Sequence, residues 1–554
     1  MGVPKFFKFL LKKYKKDDFF ISRESTYPQM KEKLNNIDYL MLDANGLMHP
    51  ACFKVIEDNP TIVDQKKLQV LMHTEIINKI KYLIDYVKHK KGVYIGVDGV
   101  APAAKMKQQR YRRFHSVSEK NLFDKLKLKY KKELGSSWNN SVITPGTKFM
   151  RVLHERLLTA LKELGGLEYI YSSCYTPGEG EHKLIKYMKE NPNNSYVIHG
   201  LDADLIFLCL STQMNSIYLL REANEIDNKD KSIDLKFVIM DKLREVIPQS
   251  MKAYIKQTNV DSNRLIDDFI FLCYLLGNDF LPHLHSIDIN YNSVDLILET
   301  YGHLFNNKYI LNNSNINQKY ILDIFKILAE KEEGILQEHY NNKKNYRIIL
   351  SDPYEREKSN IENLKFKIDD PIKIGSDDYK LYRERYYKYY WNVSSELETF
   401  SKKLVYHYLM GLKWVTQYYF KDCPSWDWYF PFDFPPFIND IYKYMKEINM
   451  DDIEFTLGKP VDPIVQLLTV LPPQSSFILP KEFQKLMHDK RSSLIYLYPT
   501  DIDHDYIGKT KYYQGLPKLP PMDIDLVKHI YIKYKDELKD TIPSLDIFHF
   551  GLRN

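Results

Sequence analysis

Tyr196-Val197-Ile198-His199-Gly200-Leu201-Asp202-Ala203-Asp204 decides the fold. A short apolar run closed by a turn-forming Gly reads as a buried strand, and two acids follow directly at its carboxyl end. The same order recurs upstream, where Ile37 to Leu42 runs into Asp43-Ala44-Asn45-Gly46 and Val93 to Val97 runs into Asp98-Gly99. A further run, Leu167 to Ser172, leads to Tyr175-Thr176-Pro177-Gly178-Glu179-Gly180-Glu181-His182, a Gly-rich turn with two more carboxylates. Helical stripes separate the runs. Leu71, Ile76, Ile77, Ile80, Leu83, Ile84 and Val87 form one, and Phe149, Val152, Leu153, Leu157 and Leu161 form another that Gly165-Gly166 stops. Strand and helix in alternation predict an α/β fold with a mostly parallel central sheet flanked by helices.

In an open parallel sheet the ligand site lies beyond the carboxyl ends of the strands, so these acids should converge there. Leu276-Gly277-Asn278-Asp279-Phe280-Leu281-Pro282 adds one more at the end of a buried helix that also carries Asp267-Asp268. So many acids in one crevice repel one another unless divalent cations neutralise them. All-oxygen ligands suit Mg²⁺ or Mn²⁺, and carboxylates placed to hold two ions about 4 Å apart are the apparatus of in-line phosphodiester hydrolysis. A single strand-end Asp is more often a helix cap or turn residue. Recurrence at the same end of successive strands is what argues for a site. Asp267-Asp268 reads either as a capped helix segment or as further ligands.

Directly after Asp98, Pro102 is placed to start a helix on which Lys105, Gln109, Arg112 and Arg113 share one face. That face either binds a phosphate, with Arg supplying forked donors, or is a solvated basic helix. Its start beside an acid of the crevice favours the phosphate. The N-terminal Val3 to Lys13 segment is a short basic amphipathic helix, expected to pack on the domain rather than lie on a membrane. His49, alone, reads as structural; Trp426 and Trp428 read as core or as base stackers.

The total charge says little: 79 Lys+Arg against 73 Asp+Glu leave +6, too small to point to a polyanion by itself. The 43 Tyr are the unusual count, and packing is their commoner use. Five scattered Cys without a CxxC pair read as reduced thiols of an intracellular protein and make zinc improbable. No run of about 18 apolar residues suggests a membrane span. Three zones are expected: an α/β core over 1–301, an Asn-rich, charged connector or insertion over 302–378, and a second, mainly helical region over 379–554.

Several of these motifs, in this order and spacing, resemble the XRN family of 5′-to-3′ exoribonucleases: Met1-Gly2-Val3-Pro4-Lys5-Phe6-Phe7, Asp98-Gly99-Val100-Ala101-Pro102, Ile143-Thr144-Pro145-Gly146-Thr147, Pro177-Gly178-Glu179-Gly180-Glu181-His182-Lys183, Leu201-Asp202-Ala203-Asp204-Leu205 and Gly277-Asn278-Asp279-Phe280-Leu281-Pro282-His283. Gly411-Leu412-Lys413-Trp414, Pro424-Ser425-Trp426-Asp427-Trp428, Leu468-Thr469-Val470-Leu471-Pro472-Pro473 and Tyr498-Pro499-Thr500-Asp501 resemble the family's second conserved region. The resemblance implies a PIN/flap-nuclease-like catalytic core, with the second region packed on it to complete the active-site channel. It implies a compact member, without long C-terminal extensions. It further implies a two-ion metal site at Asp43, Asp98, Glu179, Glu181, Asp202, Asp204 and Asp279. A 5′-monophosphate pocket at Lys105, Gln109, Arg112 and Arg113 is implied as well. So is a base stack between His49, now read as functional, and Trp428 rather than Trp426.

The expected function is a Mg²⁺- or Mn²⁺-dependent exoribonuclease that removes mononucleotides processively from single-stranded RNA bearing a 5′-monophosphate. A monomer is expected, cytoplasmic rather than nuclear. One rival is a flap-endonuclease-like, structure-specific DNase. Such enzymes place a Gly-rich hairpin after the last acid, where this chain has Phe280-Leu281-Pro282-His283-Leu284-His285. The other is a non-catalytic RNA-binding protein on the same fold.

Overall fold

Alternation of apolar side chains between two faces builds the centre of the molecule. The computed structural model describes residues 6–14, 20–21, 28–135, 138–222, 235–342, 350–366, 368–537 and 547–550. Within them run strands β1 (Phe20–Ile21), β2 (Tyr39–Asp43), β3 (Gly92–Gly96), β4 (Glu168–Ser172), β5 (Tyr196–His199), β6 (Ile217–Glu222) and β7 (Leu235–Ile239). Tyr39 and Met41 of β2 enter one apolar cluster while Leu40 and Leu42 enter another, so helices must cover both faces of the sheet. Helices Ala44–Asp58, Gln65–Val87 and Lys148–Glu163 cover one face; Gly180–Glu190, Asp204–Ser211, Met240–Lys252 and Ser262–Cys273 cover the other.

The sheet order is β1-β7-β6-β5-β2-β3-β4, followed by a last strand, Ile547–Phe550. β2 pairs parallel with β3 and β5, β4 parallel with β3, and β6 parallel with β5. β7, β1 and the last strand are antiparallel additions at the edges. The chain thus steps from β2 outward to β4, returns, and steps from β5 the other way. The point where direction reverses lies between β2 and β5, and a crevice opens there at the carboxyl ends.

The mostly parallel sheet and its flanking helices are as the sequence predicts, and all four predicted strands form. β6, β7 and the last strand were not anticipated. β6 reads Ile-Tyr-Leu-Leu-Arg-Glu, an apolar run too short to separate strand from helix by its period. Leu71, expected on a buried stripe, lies exposed at the edge of its helix. The N-terminal helix spans Phe6–Tyr14 and packs through Phe6, Phe7 and Leu10; Val3 to Lys5 lie outside the described residues.

The 302–378 stretch, expected as a connector or insertion, contributes to the core. Its expected start falls at helix Ser293–Leu304, and helix Gln318–Asn341 sends Ile321, Ile324, Phe325 and Leu328 into the same cluster as the sheet. Its Asn-rich turn closes a small hairpin, Leu311–Asn312 with Asn315–Ile316. Region 379–554 carries helices Tyr379–Trp391, Leu397–Phe420, Ile438–Tyr444, Pro463–Val470 and Ile524–Tyr534. Pro463–Val470 and Ile524–Tyr534 pack with Ala103, Met106 and Phe114 of the basic helix, Ala103–Lys129. Among the described residues no helix is long and apolar enough to cross a membrane.

Candidate active site

Asp43 closes β2 and stands at the N-terminus of helix Ala44–Asp58. Burial, then the nearby Asp98 and Asp202 carboxylates, raise its pKa well above the ordinary carboxylate range, and the N–H groups of Gly46 and Asn45 do not offset them. Asp98 follows β3. Its backbone N–H donates to Asn45 Oδ1 at 3.1 Å, and its Oδ1 accepts from Gly180 N–H at 2.6 Å. Gly180 is required by close approach: a Cβ there would lie 2.8 Å from Gly96 O, 3.2 Å from Asp43 Oδ1 and 3.3 Å from Asp98 Oδ1. The Gly-rich turn thus lets helix Gly180–Glu190 start against the two acids, with Glu179 at its cap and Glu181 in its first turn. Beneath it the buried Lys183 ammonium donates to Val97 O at 2.6 Å and Ser173 O at 3.0 Å, tying the ends of β3 and β4.

Lys105, one turn into the basic helix, reaches into this group. Its Nζ lies 2.5 Å from Glu179 Oε2 and 2.8 Å from Asp279 Oδ2. Asp279 is presented by a tight turn in which Gly277 has φ +84° and Asn278 Oδ1 accepts from the N–H groups of Phe280 and Leu281, both at 2.9 Å. Burial alone would raise both carboxylates, but the Lys105 ammonium outweighs it and holds both below their ordinary range. At Glu181 the same ammonium is outweighed: burial and then Glu179 raise it well above its ordinary value. Burial and then Asp279 push Asp204 up to about 7. Asp202 is exposed at the mouth of the crevice, its backbone carbonyl accepting from Arg221 at 2.8 Å.

The seven acids expected from the sequence are therefore brought to one crevice. Their chemistry fits a hard cation: every donor is a carboxylate oxygen, and Asp204 Oδ1 is buried without a hydrogen-bond partner. Among the described residues, however, no group of three or more His, Cys, Asp or Glu side chains is gathered closely enough to hold a metal ion. Glu179 and Asp279 are drawn onto the ammonium of Lys105 instead. Asp267-Asp268 stand apart. Asp268 accepts from Tyr301 OH at 2.7 Å and from the N–H groups of Ile310 and Leu311 at 2.8 Å each, so it secures the hairpin that follows, and Asp267 accepts from Gln213 at 2.8 Å.

On the rest of the basic face, Gln109 Oε1 accepts from Gln466 at 3.3 Å, and Arg113 donates to Thr144 at 2.8 Å. Arg113 has one further guanidinium nitrogen buried without a partner. Burial and the neighbouring Arg112 push its pKa down to about 9. Arg112 is exposed. His49 sits beside these arginines and is held neutral, its pKa pushed down to about 4 by burial and then by Arg112 and Arg113. Trp428 stacks on Trp414, with ring centroids 5.3 Å apart and planes 26° apart. Trp426 is tied through its backbone to Ala103 at the start of the basic helix, 2.9 Å away. Among the described residues no ring contact joins either tryptophan to His49.

Residues 1–223 match the family model described as XRN 5'-3' exonuclease N-terminus, and 259–371 and 352–541 match that described as Xrn1 helical domain. The chain belongs to the XRN family. Among XRN relatives it is 28% identical to 5'-3' exoribonuclease 2 of Candida albicans, over 94% of this chain and 71% of that protein. It is 29% identical to 5'-3' exoribonuclease 1 of Homo sapiens, over 94% of this chain but only 33% of that protein. The 5'-3' exoribonuclease 2 homolog of Drosophila melanogaster is 29% identical over 97% of this chain and 71% of that protein. Flap endonuclease-1 from Methanococcus jannaschii overlaps 48% of the XRN chain at 14% identity with a TM-score of 0.28, too loose a match to bear on activity.

One site contact escaped the sequence reading, which assigned no role to any tyrosine. Tyr418, from helix Leu397–Phe420, donates its hydroxyl to Glu179 Oε1 at 2.6 Å. The signal was present only as a ring eight residues before Trp426, on the inward stripe of an apolar helix, where a core tyrosine looks the same.

Proposed function

We propose that the chain is a divalent-metal-dependent 5′-to-3′ exoribonuclease that removes mononucleotides from single-stranded RNA bearing a 5′-monophosphate. The observation that carries this reading is Lys105, whose ammonium joins the basic helix to Glu179 and Asp279 and so makes acid crevice and cationic face one site. Asp43, Asp98, Glu179, Glu181, Asp202, Asp204 and Asp279 would hold two Mg²⁺ or Mn²⁺ ions. Bound there, such ions lower the pKa of water and neutralise charge on the leaving oxygen.

The chain's own residues account for the selection of the 5′ end. Arg113 is a half-buried cation with one guanidinium nitrogen buried and unpartnered and no acid facing it among the described ion pairs, an arrangement that suits a phosphate entering the pocket. With Lys105, Gln109 and Arg112 it would clamp a 5′-monophosphate, and such a pocket would exclude a triphosphate or cap by size. Neutral His49 offers an apolar ring face beside that clamp, and Trp428 a second aromatic surface. Stacking accepts any base, so the strand advances without sequence readout. The action would be processive, by a monomer in the cytoplasm.

The test is hydrolysis of end-labelled RNA carrying 5′-monophosphate, triphosphate or hydroxyl ends, and of matching single-stranded DNA, with Mg²⁺ or with EDTA. Mononucleotide release from the monophosphorylated RNA alone, abolished by EDTA, is expected. Internal cuts, or indifference to the 5′ group, would overturn the proposal.

A further inference from the structure

Tyr418 lies in the second region, yet it touches the acid crevice of the first. Its hydroxyl donates to Glu179 Oε1 at 2.6 Å, while Lys105 holds Glu179 Oε2 at 2.5 Å, so both oxygens of this carboxylate are fixed from opposite regions of the chain. The tyrosine ring has no freedom to turn away. It stacks on Trp414 on one side, at 4.7 Å and 27°, and on His182 on the other, at 3.9 Å and 33°. Phe280, the neighbour of Asp279, meets it edge-on at 5.4 Å. Trp414 is in turn covered by Trp428. A column of rings therefore runs from Trp428 through Trp414 to Tyr418, and ends on a carboxylate.

We infer that Tyr418 is a positioning residue: it orients the Glu179 carboxylate for a divalent cation and thereby makes metal binding in the first region depend on the aromatic column of the second. This rests on the proposed nuclease reading, in which Glu179 is a metal ligand. A side chain that orients a ligating group through a hydrogen bond typically changes metal affinity or activity by about 10- to 100-fold when removed.

The experiment compares wild type, Tyr418→Phe, Glu179→Gln and the double variant. Mn²⁺ binding to the RNA-free protein is followed by electron paramagnetic resonance, and cleavage of 5′-phosphorylated RNA is followed as kcat and KM. Phenylalanine keeps every ring contact and removes only the hydroxyl. Mn²⁺ affinity is expected to fall about tenfold in Tyr418→Phe, with kcat at limiting metal falling alongside and KM for RNA changing less than about twofold. On the Glu179→Gln background the same change should cost no further Mn²⁺ affinity, because the hydroxyl acts only through that carboxylate. Unchanged affinity in Tyr418→Phe, or an equal further loss on Glu179→Gln, overturns the inference. Wild type that neither binds Mn²⁺ nor cleaves RNA overturns instead the nuclease reading beneath it. Should Tyr418→Phe fold poorly, the comparison of Glu179→Gln with wild type still measures what the accepting carboxylate contributes, and an unchanged Mn²⁺ affinity there sinks the inference.

Discussion

Asp43 and Glu181 in the crevice and Asp268 and Glu332 away from it are all buried, and all four have raised pKa values, yet the two pairs differ in what surrounds them. At Asp43 the largest influence after burial is repulsion by Asp98 and Asp202; at Glu181 it is repulsion by Glu179. Away from the crevice, Asp268 and Glu332 are likewise pushed to about 7 by burial, but what comes next is hydrogen-bond donation that lowers them. Glu332 accepts from the N–H groups of Ile438 at 2.8 Å and Asn439 at 2.9 Å, and Asp440 accepts from Arg383 at 2.9 Å and Tyr387 at 2.7 Å. Burial of an acid therefore does not mark a site. A buried acid whose neighbours are other acids is the better candidate for one, because like charges held together cost stability unless a cation neutralises them.

The largest effect expected from this contrast is on chemistry. Replacing Asp202 and Asp204 together by alanine should lower RNA hydrolysis by roughly 10⁴-fold, the scale on which removing members of a catalytic unit acts. RNA binding, measured by fluorescence anisotropy, should survive, and thermal unfolding should be unchanged or improved because repulsion is relieved. Retained hydrolysis, or a loss of stability like that of a structural acid, would break the contrast. The next effect lies on the other side. Asp268→Ala strips the acceptor from Tyr301 OH and from two buried N–H groups, each worth about 1 to 3 kcal/mol when left unsatisfied. A loss of about 3 kcal/mol or more in urea-induced unfolding is expected, with kcat per folded molecule unaltered.

The same contrast explains how much of the molecule was legible in its sequence. The parallel sheet was, because Tyr39 to Asp43 ends in an acid and Tyr196 to His199 leads through Gly200 to Asp202 and Asp204, so that strand chemistry and turn chemistry agree. The convergence of the acids followed from topology: once β2 and β5 are neighbours, Asp43 and Asp202 must face one crevice. Asp268 was ambiguous because its donors come from Ile310 and Leu311, some forty residues on, and no local pattern announces such a contact. Region 302–378 read as a connector or insertion because asparagines dominate its turns, while the stripe of Ile321, Ile324, Phe325 and Leu328 that packs it into the core is short. Tyr418 was hidden for the opposite reason, being one ring in an aromatic-rich chain, distinguished only by what its hydroxyl meets.

The smallest expected effect is on pH dependence, and Mg²⁺ is what separates the two groups of acids there. Asp204 titrates at about 7 in the folded chain because burial, then Asp279, oppose its charge, well above the ordinary carboxylate value of the unfolded chain. The folded state thus binds the extra proton. The stability it contributes is fully present below pH of about 4 and is lost as pH rises through about 7. Asp268 has the same sign, so metal-free wild type should melt at lower temperature at pH 8 than at pH 5.5 for both reasons. Asp204→Asn and Asp268→Asn should each flatten this slope, by about 2 °C between the two pH values, measured by differential scanning fluorimetry. Mg²⁺ tells them apart. Charged acids that repel one another are what a cation rescues, so millimolar Mg²⁺ at pH 8 should raise the melting temperature of wild type and of Asp268→Asn, yet leave Asp202→Ala/Asp204→Ala where it was. Equal rescue of all three would mean that the ion settles elsewhere, and that the repulsion at the strand ends is not what the fold holds in reserve for it.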